Sequence, residues 1–323
     1  MIRCQPIEFD QSESLKFLPE GPFPLGDDAF SWVAIQHGAE STTGSLNRMV
    51  RREGVWHNEC TRLDGRPGFA FPTDREGVFV AGIERSLGFV DTFDGSFTPF
   101  CDTVDADVDN TIINDGIVHG DNLIFGTKDL QFENPKAGLY LYRGRDGQLV
   151  QLRNDQTISN GKAVIAGDAG SVQFLDIDSP TRRIVRYTLD IDAGQLSGAE
   201  TVVELEDDGI VPDGAILTPD GEGVIVAVFR YGNMSAANYE GQTRWYDLST
   251  RELKQTWVTP GSPQNTCPAL VRIDGEIKLL ITTAAENMDD STRSNCHQAG
   301  RLFVGDCDFE TLGGASRARF RSS

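Results

Sequence analysis

Helical periodicity is scarce in this chain, and so are histidines, basic residues and long apolar runs. Each shortage excludes something. With 29 Lys and Arg against 49 Asp and Glu, the formal charge is −20. Nucleic-acid phosphates and anionic membrane surfaces demand basic patches, so neither is expected as a partner. No apolar run approaches the ~20 residues that cross a bilayer. The opening Met1-Ile2-Arg3-Cys4-Gln5-Pro6 has no apolar signal-type region, which predicts a cytoplasmic protein. None of the six cysteines forms a Cys-x-x-Cys pair, so a zinc ribbon is not indicated and free thiols are expected. Cys296-His297 with Cys307 fits no closed four-ligand spacing. The four histidines, His37, His57, His119 and His297, show no ligand-type spacing to one another. A Gly-x-Ser-x-Gly elbow and a phosphate-cradling glycine loop are also missing.

What the chain does have is period-two alternation bounded by Gly, Asp, Asn and Pro, the pattern of strands and turns. Asp-Gly turns are frequent, among them Asp64-Gly65, Asp94-Gly95, Asp146-Gly147, Asp220-Gly221 and Asp274-Gly275, and suit tight hairpins. Short apolar strands recur at a period of about fifty residues. They are Phe30–Ile35, Val78–Ile83, Leu123–Gly126, Val172–Leu175, Val224–Val228 and Leu279–Thr282, and each reads as the inner strand of a unit. Ahead of each lies a marked turn, holding in order Glu20, Gly68, Asn114, Asn160, Asp213 and Cys267. Long-period repetition of four-stranded units predicts an all-β, six-bladed β-propeller. Residues 1–323 then make one propeller domain, with 316–323 as a frayed basic tail. Ile2–Phe9 is expected to supply the missing outer strand of the sixth unit and close the ring.

In a closed ring the same repeat position falls at the same radius, so the marked turns should meet at one axis. Taken singly, an Asn-Gly or Asp-Gly is an ordinary turn signal. Their common phase brings Glu20, Asn160 and Asp213 together from three units, with the Asn114 amide as a fourth polar group. Carboxylates and amide carbonyls are the donors a hard divalent cation takes. Two carboxylates balance its charge and leave positions open for water and substrate, which predicts a metal site in the central channel. The loops Arg230–Gly241 and Ala284–Ala299 are long and polar enough to shape its mouth.

Several short motifs, taken together and in order, carry a family resemblance. They are Glu20-Gly21-Pro22, Asn114-Asp115-Gly116 with Gly126-Thr127, Ser159-Asn160-Gly161, the run from Asp178-Ser179-Pro180 to Ile184, and Pro212-Asp213-Gly214. The chain resembles the SMP-30/gluconolactonase/luciferin-regenerating-enzyme family over almost its whole length. The resemblance implies one divalent cation held by Glu20, Asn160 and Asp213, with Asn114 contacting substrate or water. Calcium is the first expectation, with zinc, manganese and magnesium as alternatives. It also implies hydrolysis of a lactone, commonly a sugar lactone, with Asp213 orienting or deprotonating the attacking water.

This chain departs from that pattern around the substrate. Ile112 stands where sugar lactonases of the family often have arginine, Gln131 where they often have an acid, and Lys128 where methionine is common. Lys128 is therefore expected to contact substrate, and D-glucono-1,5-lactone is expected to be poorly held. Two other functions compete with lactone hydrolysis. One is a different metal-dependent hydrolysis, such as that of phosphotriesters. The other is a noncatalytic propeller that binds calcium or protein, because fold alone does not set function.

Overall fold

The computed structural model describes residues 1–323 apart from 169, 233, 235–237, 315–318, 322 and 323. Strands β1 (Ile2–Arg3) and β2 (Gln5–Pro6) precede the first blade. Blade one contains β3 (Pro19–Gly26), β4 (Ala29–Ala34), β5 (Gly44–Arg52) and β6 (Val55–Leu63). Blade two contains β7 (Pro67–Pro72), β8 (Val78–Ile83), β9 (Ser86–Asp91) and β10 (Phe97–Cys101). Blade three contains β11 (Thr111–His119), β12 (Asn122–Asp129), β13 (Ala137–Arg143) and β14 (Gln148–Gln156). Blade four contains β15 (Ser159–Asp168), β16 (Ser171–Asp178), β17 (Arg183–Asp190) and β18 (Gln195–Glu204). Blade five contains β19 (Ile210–Leu217), β20 (Gly223–Arg230), β21 (Gly241–Asp247) and β22 (Leu253–Thr259). Blade six contains β23 (Gln264–Ile273), β24 (Glu276–Ala284) and β25 (Leu302–Asp306), with β2 as its outer strand.

Every blade is an antiparallel meander, and the apolar surface lies between blades. Six hydrophobic clusters occupy the six junctions, including the one between blades six and one. Val224, Val226 and Val228 of β20 pack towards blade four, while Ile225 packs towards blade six. A middle strand buried on both faces reads as a continuous apolar run, which is why these strands mark the repeat.

The N-terminus closes the ring as the sequence predicts. Gln5 and Pro6 pair with Val304 and Phe303, and the Ile7 N–H donates to the Leu302 carbonyl at 2.7 Å. β1 adds in parallel to β22 of blade five, so one short segment ties two blades together. Of the tail, 316–318, 322 and 323 lie outside the described residues. Phe320 is buried against Phe89 and Phe100 and bridges to Thr73 of blade two.

The six apolar strands are second strands, not inner ones. The strands that pack against each other around the axis are β3, β7, β11, β15, β19 and β23, which carry the marked residues themselves. What reads as a turn is a β-bulge. Register shifts interrupt all six first strands at the same phase: after Glu20, Pro67, Ile113, Asn160, Pro212 and Asn265. A bulge inserts unpaired residues and redirects their side chains. Gly21 at φ 53° and Gly161 at φ 35° take the left-handed conformation two of these bulges need. Among the described residues no helix is long and apolar enough to cross a membrane.

Candidate active site

The bulges deliver their side chains to one cavity of about 890 Å³ at the mouth of the ring. Glu20 from β3, Asn114 from β11, Asn160 from β15 and Asp213 from β19 all line it, as does Lys128 from β12. The sequence-predicted set is thus brought together. Leu18, Ile35, Ile158, Val211 and Phe229 form apolar wall around it. Ile112 and Gln131 are not among the lining residues, and Ile112 is buried across the strand pair from Lys128.

A chain of hydrogen bonds fixes the amides. The Ser179 hydroxyl donates its one proton to the Pro212 carbonyl at 2.7 Å. It can therefore only accept from Asn160, whose Nδ2 donates to it at 2.9 Å. That orientation turns Asn160 Oδ1 away from Ser179. Asn114 Nδ2 donates to Asn160 Oδ1 at 2.7 Å and to the Ser159 carbonyl at 2.9 Å. Both protons of that amide are used, so Asn114 presents its Oδ1 as an acceptor. Asn160 Oδ1 keeps one lone pair free.

The carboxylates are crowded and poorly compensated. Among the described residues Glu20 accepts only from its neighbour's backbone, Gly21 N–H, at 3.1 Å. No Lys, Arg or His lies within ion-pair distance of Glu20 or Asp213 among the described residues. Burial, with Asp213 and Asp115 as facing like charges, pushes the Glu20 carboxyl well above its usual range. Burial and Asp115 do the same to Asp213, against a weaker pull from Lys128. Burial raises Asp115 too, opposed chiefly by the Lys162 ammonium.

Lys162 is a site residue that sequence reasoning missed. It is fully buried behind the bulge of β15, where its Nζ donates to Ser159 Oγ at 2.9 Å and the Asn160 carbonyl at 3.1 Å. Asp176 lies 3.8 Å away. Ser179 and Glu286 were missed as well. Ser179 sits inside a motif already singled out, but its role depends on the distant Pro212 carbonyl. Cys267 comes to the axis, but burial and the charges of Glu20, Asp115 and Asp213 keep its thiol protonated. Among the described residues all six cysteines are free, as the sequence predicts.

Among those residues no three His, Cys, Asp or Glu side chains form a metal-type cluster. The arrangement at the axis is instead two carboxylates plus an amide oxygen whose orientation is fixed from behind. Two acids facing each other without a counter-ion, beside a pre-aimed carbonyl, fit a hard divalent cation.

Comparisons with known proteins agree with this architecture. A family model described as the SMP-30/Gluconolactonase/LRE-like region matches residues 18–285. A Bacillus subtilis protein described as "Putative sugar lactone lactonase YvrE" is 31% identical over 55% of this chain and 56% of its own. An L-arabinolactonase of Azospirillum brasilense is 27% identical over 72% of this chain and 71% of its own. The chain spans little more than half the length of the first curated relatives it matches, 56% and 54%. Among solved structures, a calcium-binding regucalcin of Agrobacterium tumefaciens superposes with a TM-score of 0.74 at 21% identity, covering 97% of this chain and 96% of that one. A luciferin-regenerating enzyme gives 0.74 at 23% identity, covering 94% and 96%. At these identities the two structures speak for the fold alone. The family match across residues 18–285, on a fold of six bulged first strands around one axis, shows that this chain belongs to the SMP-30/gluconolactonase/LRE-like family.

Proposed function

We propose that the protein hydrolyses a lactone of the sugar type, using one divalent cation held by Glu20, Asn160 and Asp213. The observation that carries this reading is the convergence of two uncompensated carboxylates and one pre-oriented amide oxygen from three different blades. The names of the family relatives, sugar lactone lactonase and L-arabinolactonase, support the reaction class. Calcium is the first choice, because all three donors are hard oxygens and a neighbour of the same fold binds calcium. Zinc, manganese and magnesium are tested beside it.

A cation bound there supplies Lewis-acid polarisation of the lactone carbonyl. The rest of the work falls to the chain. Asp213 takes a proton from water at a carboxylate oxygen as the water oxygen attacks the carbonyl carbon. The ring C–O bond then breaks, and that proton passes to the departing alkoxide oxygen. Asn114 Oδ1, with its amide protons engaged elsewhere, accepts a hydrogen bond from water or a substrate hydroxyl. The apolar wall limits competing water around the reacting atoms.

The test is a proton-release screen of metal-free protein against aldonolactones, unsubstituted lactones and phosphotriesters, each cation being added in turn. Turnover of lactones above phosphotriesters, dependent on one cation, is expected. Faster turnover of phosphotriesters, or none of any substrate with any cation, overturns the reading.

A further inference from the structure

Three features of the cavity mouth have no part in holding a cation. The first is Lys128. It is 4% exposed, yet among the described residues its ammonium makes no hydrogen bond and no ion pair. Its ammonium lies over the Phe132 ring, 5.7 Å from Nζ to the centroid, and its charge acts on Glu20, Asp213 and Glu286 across the cavity. The second is Glu286, which follows β24. Its carboxylate has no donor among the described residues, and only its backbone carbonyl is used, by Gln264. Lys128 stands on blade three and Glu286 comes from blade six. In a ring of six these are opposite walls. The two make no ion pair among the described residues, although the Lys128 charge opposes the burial that raises the Glu286 carboxyl, and each faces the same cavity.

The third feature is Phe132. A phenylalanine at φ 58° is held in the left-handed region, which bulky side chains rarely occupy. The ring also remains 39% exposed where it borders the cavity. Backbone strain persists only where the surroundings over-determine it. Here Asp129 does so. Its buried carboxylate accepts from the N–H groups of Gln131, Glu133 and Asn134 at 3.3, 3.2 and 3.0 Å, and from Lys136 at 3.0 Å. Burial opposes ionisation, but these donors, led by the Asn134 N–H, hold Asp129 down at about 2. The loop is built, and its product is an exposed ring beside an unpaired ammonium.

We infer that Lys128, Phe132 and Glu286 form a binding subsite for a polyhydroxylated ring. A sugar ring offers apolar C–H faces to an aromatic platform, hydroxyl oxygens to an ammonium and hydroxyl protons to a carboxylate. All three groups stand ready around one space. The subsite supplies a cation from β12 and a carboxylate from the loop after β24, at positions other than Ile112 of β11 and Gln131 of the turn after β12. The inference rests on the lactonase reading for the reaction, but not for the ligand.

Two measurements test it. The first is the ratio of kcat/KM for an aldonolactone to that for the unsubstituted lactone of equal ring size. Lys128→Met, Glu286→Gln and Phe132→Ala should each lower this ratio about tenfold, the effect of losing one good contact to a charged or aromatic partner. Lys128→Arg should restore part of it. The second is binding of 1,5-anhydro-D-glucitol, a ring with hydroxyls and no ester, followed by ligand-observed NMR. It should bind the wild type and weaken about tenfold in the same variants, whereas tetrahydropyran should not bind. Ratios and affinities within twofold of wild type, in variants whose thermal unfolding is unchanged, overturn the inference. If no lactone is hydrolysed but the polyol binds through these residues, the subsite stands and the lactonase reading falls.

Discussion

Replacing Asp213 by asparagine should make the metal-free protein more stable while abolishing its response to cations. The side chain is 7% exposed, and burial together with Asp115 opposes its ionisation. An uncompensated buried charge costs several kcal/mol, of which ~2 kcal/mol is a modest share to recover with a neutral isostere. At an unfolding entropy of about 2.1 cal/mol/K per residue, a chain of 323 residues gives a Tm change of ~1.5 °C per kcal/mol. Asp213→Asn should therefore raise the metal-free Tm by about 3 °C. In the wild type, a cation at one hundred times its Kd adds about 2.7 kcal/mol, or ~4 °C. The variant should show no such rise and no cation-dependent lactone turnover. Differential scanning fluorimetry on chelator-treated protein, with and without added cation, reads both effects. A variant less stable than the metal-free wild type, or still stabilised by cation, would refute the reasoning.

Other outcomes follow from neighbouring groups. Ser179→Ala frees the Asn160 amide to turn and should weaken cation binding about three- to tenfold by calorimetry, the value of one buried hydrogen bond. Lys162→Met leaves Asp176 and Asp115 without their cation and should cost about 3–5 kcal/mol, or ~5–7 °C in Tm. Glu20, Asp115, Asp176, Asp213 and Glu286 are all raised in the fold, foremost by burial. Their stabilising contribution is complete below the unfolded carboxylate range and is lost as pH rises through the folded values. The metal-free Tm should thus fall as pH rises above the ordinary carboxylate range, and saturating cation should flatten that slope. A Tm that climbs with pH there would contradict the account. Deleting residues 1–9 removes the outer strand of blade six and should lower the Tm more than any single substitution at the site.

The fold was legible because a blade strand buried on both faces leaves an apolar run, and six such runs recur. The first strands were not legible as strands. Glu20-Gly21-Pro22 and Pro212-Asp213-Gly214 carry turn residues because a bulge needs the same backbone freedom as a turn. That Glu20, Asn114, Asn160 and Asp213 meet at one cavity could be read from residue type and phase alone. Lys128 stood out as a cation at an apolar position. Ser179 could not be assigned, since its role depends on the Pro212 carbonyl 33 residues away. Lys162 reads as an ordinary strand lysine until Asp115 and Asp176 are placed beside it. Glu286 gains meaning only when closure sets blade six opposite blade three. Sequence carries local chemistry and its period; ring closure decides which distant groups face each other.

The most direct measurement is a crystal structure of the protein with manganese, using anomalous scattering to locate the ion. The account predicts one strong peak on the propeller axis, with oxygens of Glu20, Asn160 and Asp213 all within about 2.0–2.6 Å. An ion bound elsewhere, or one at the axis that ignores Asn160, would contradict it.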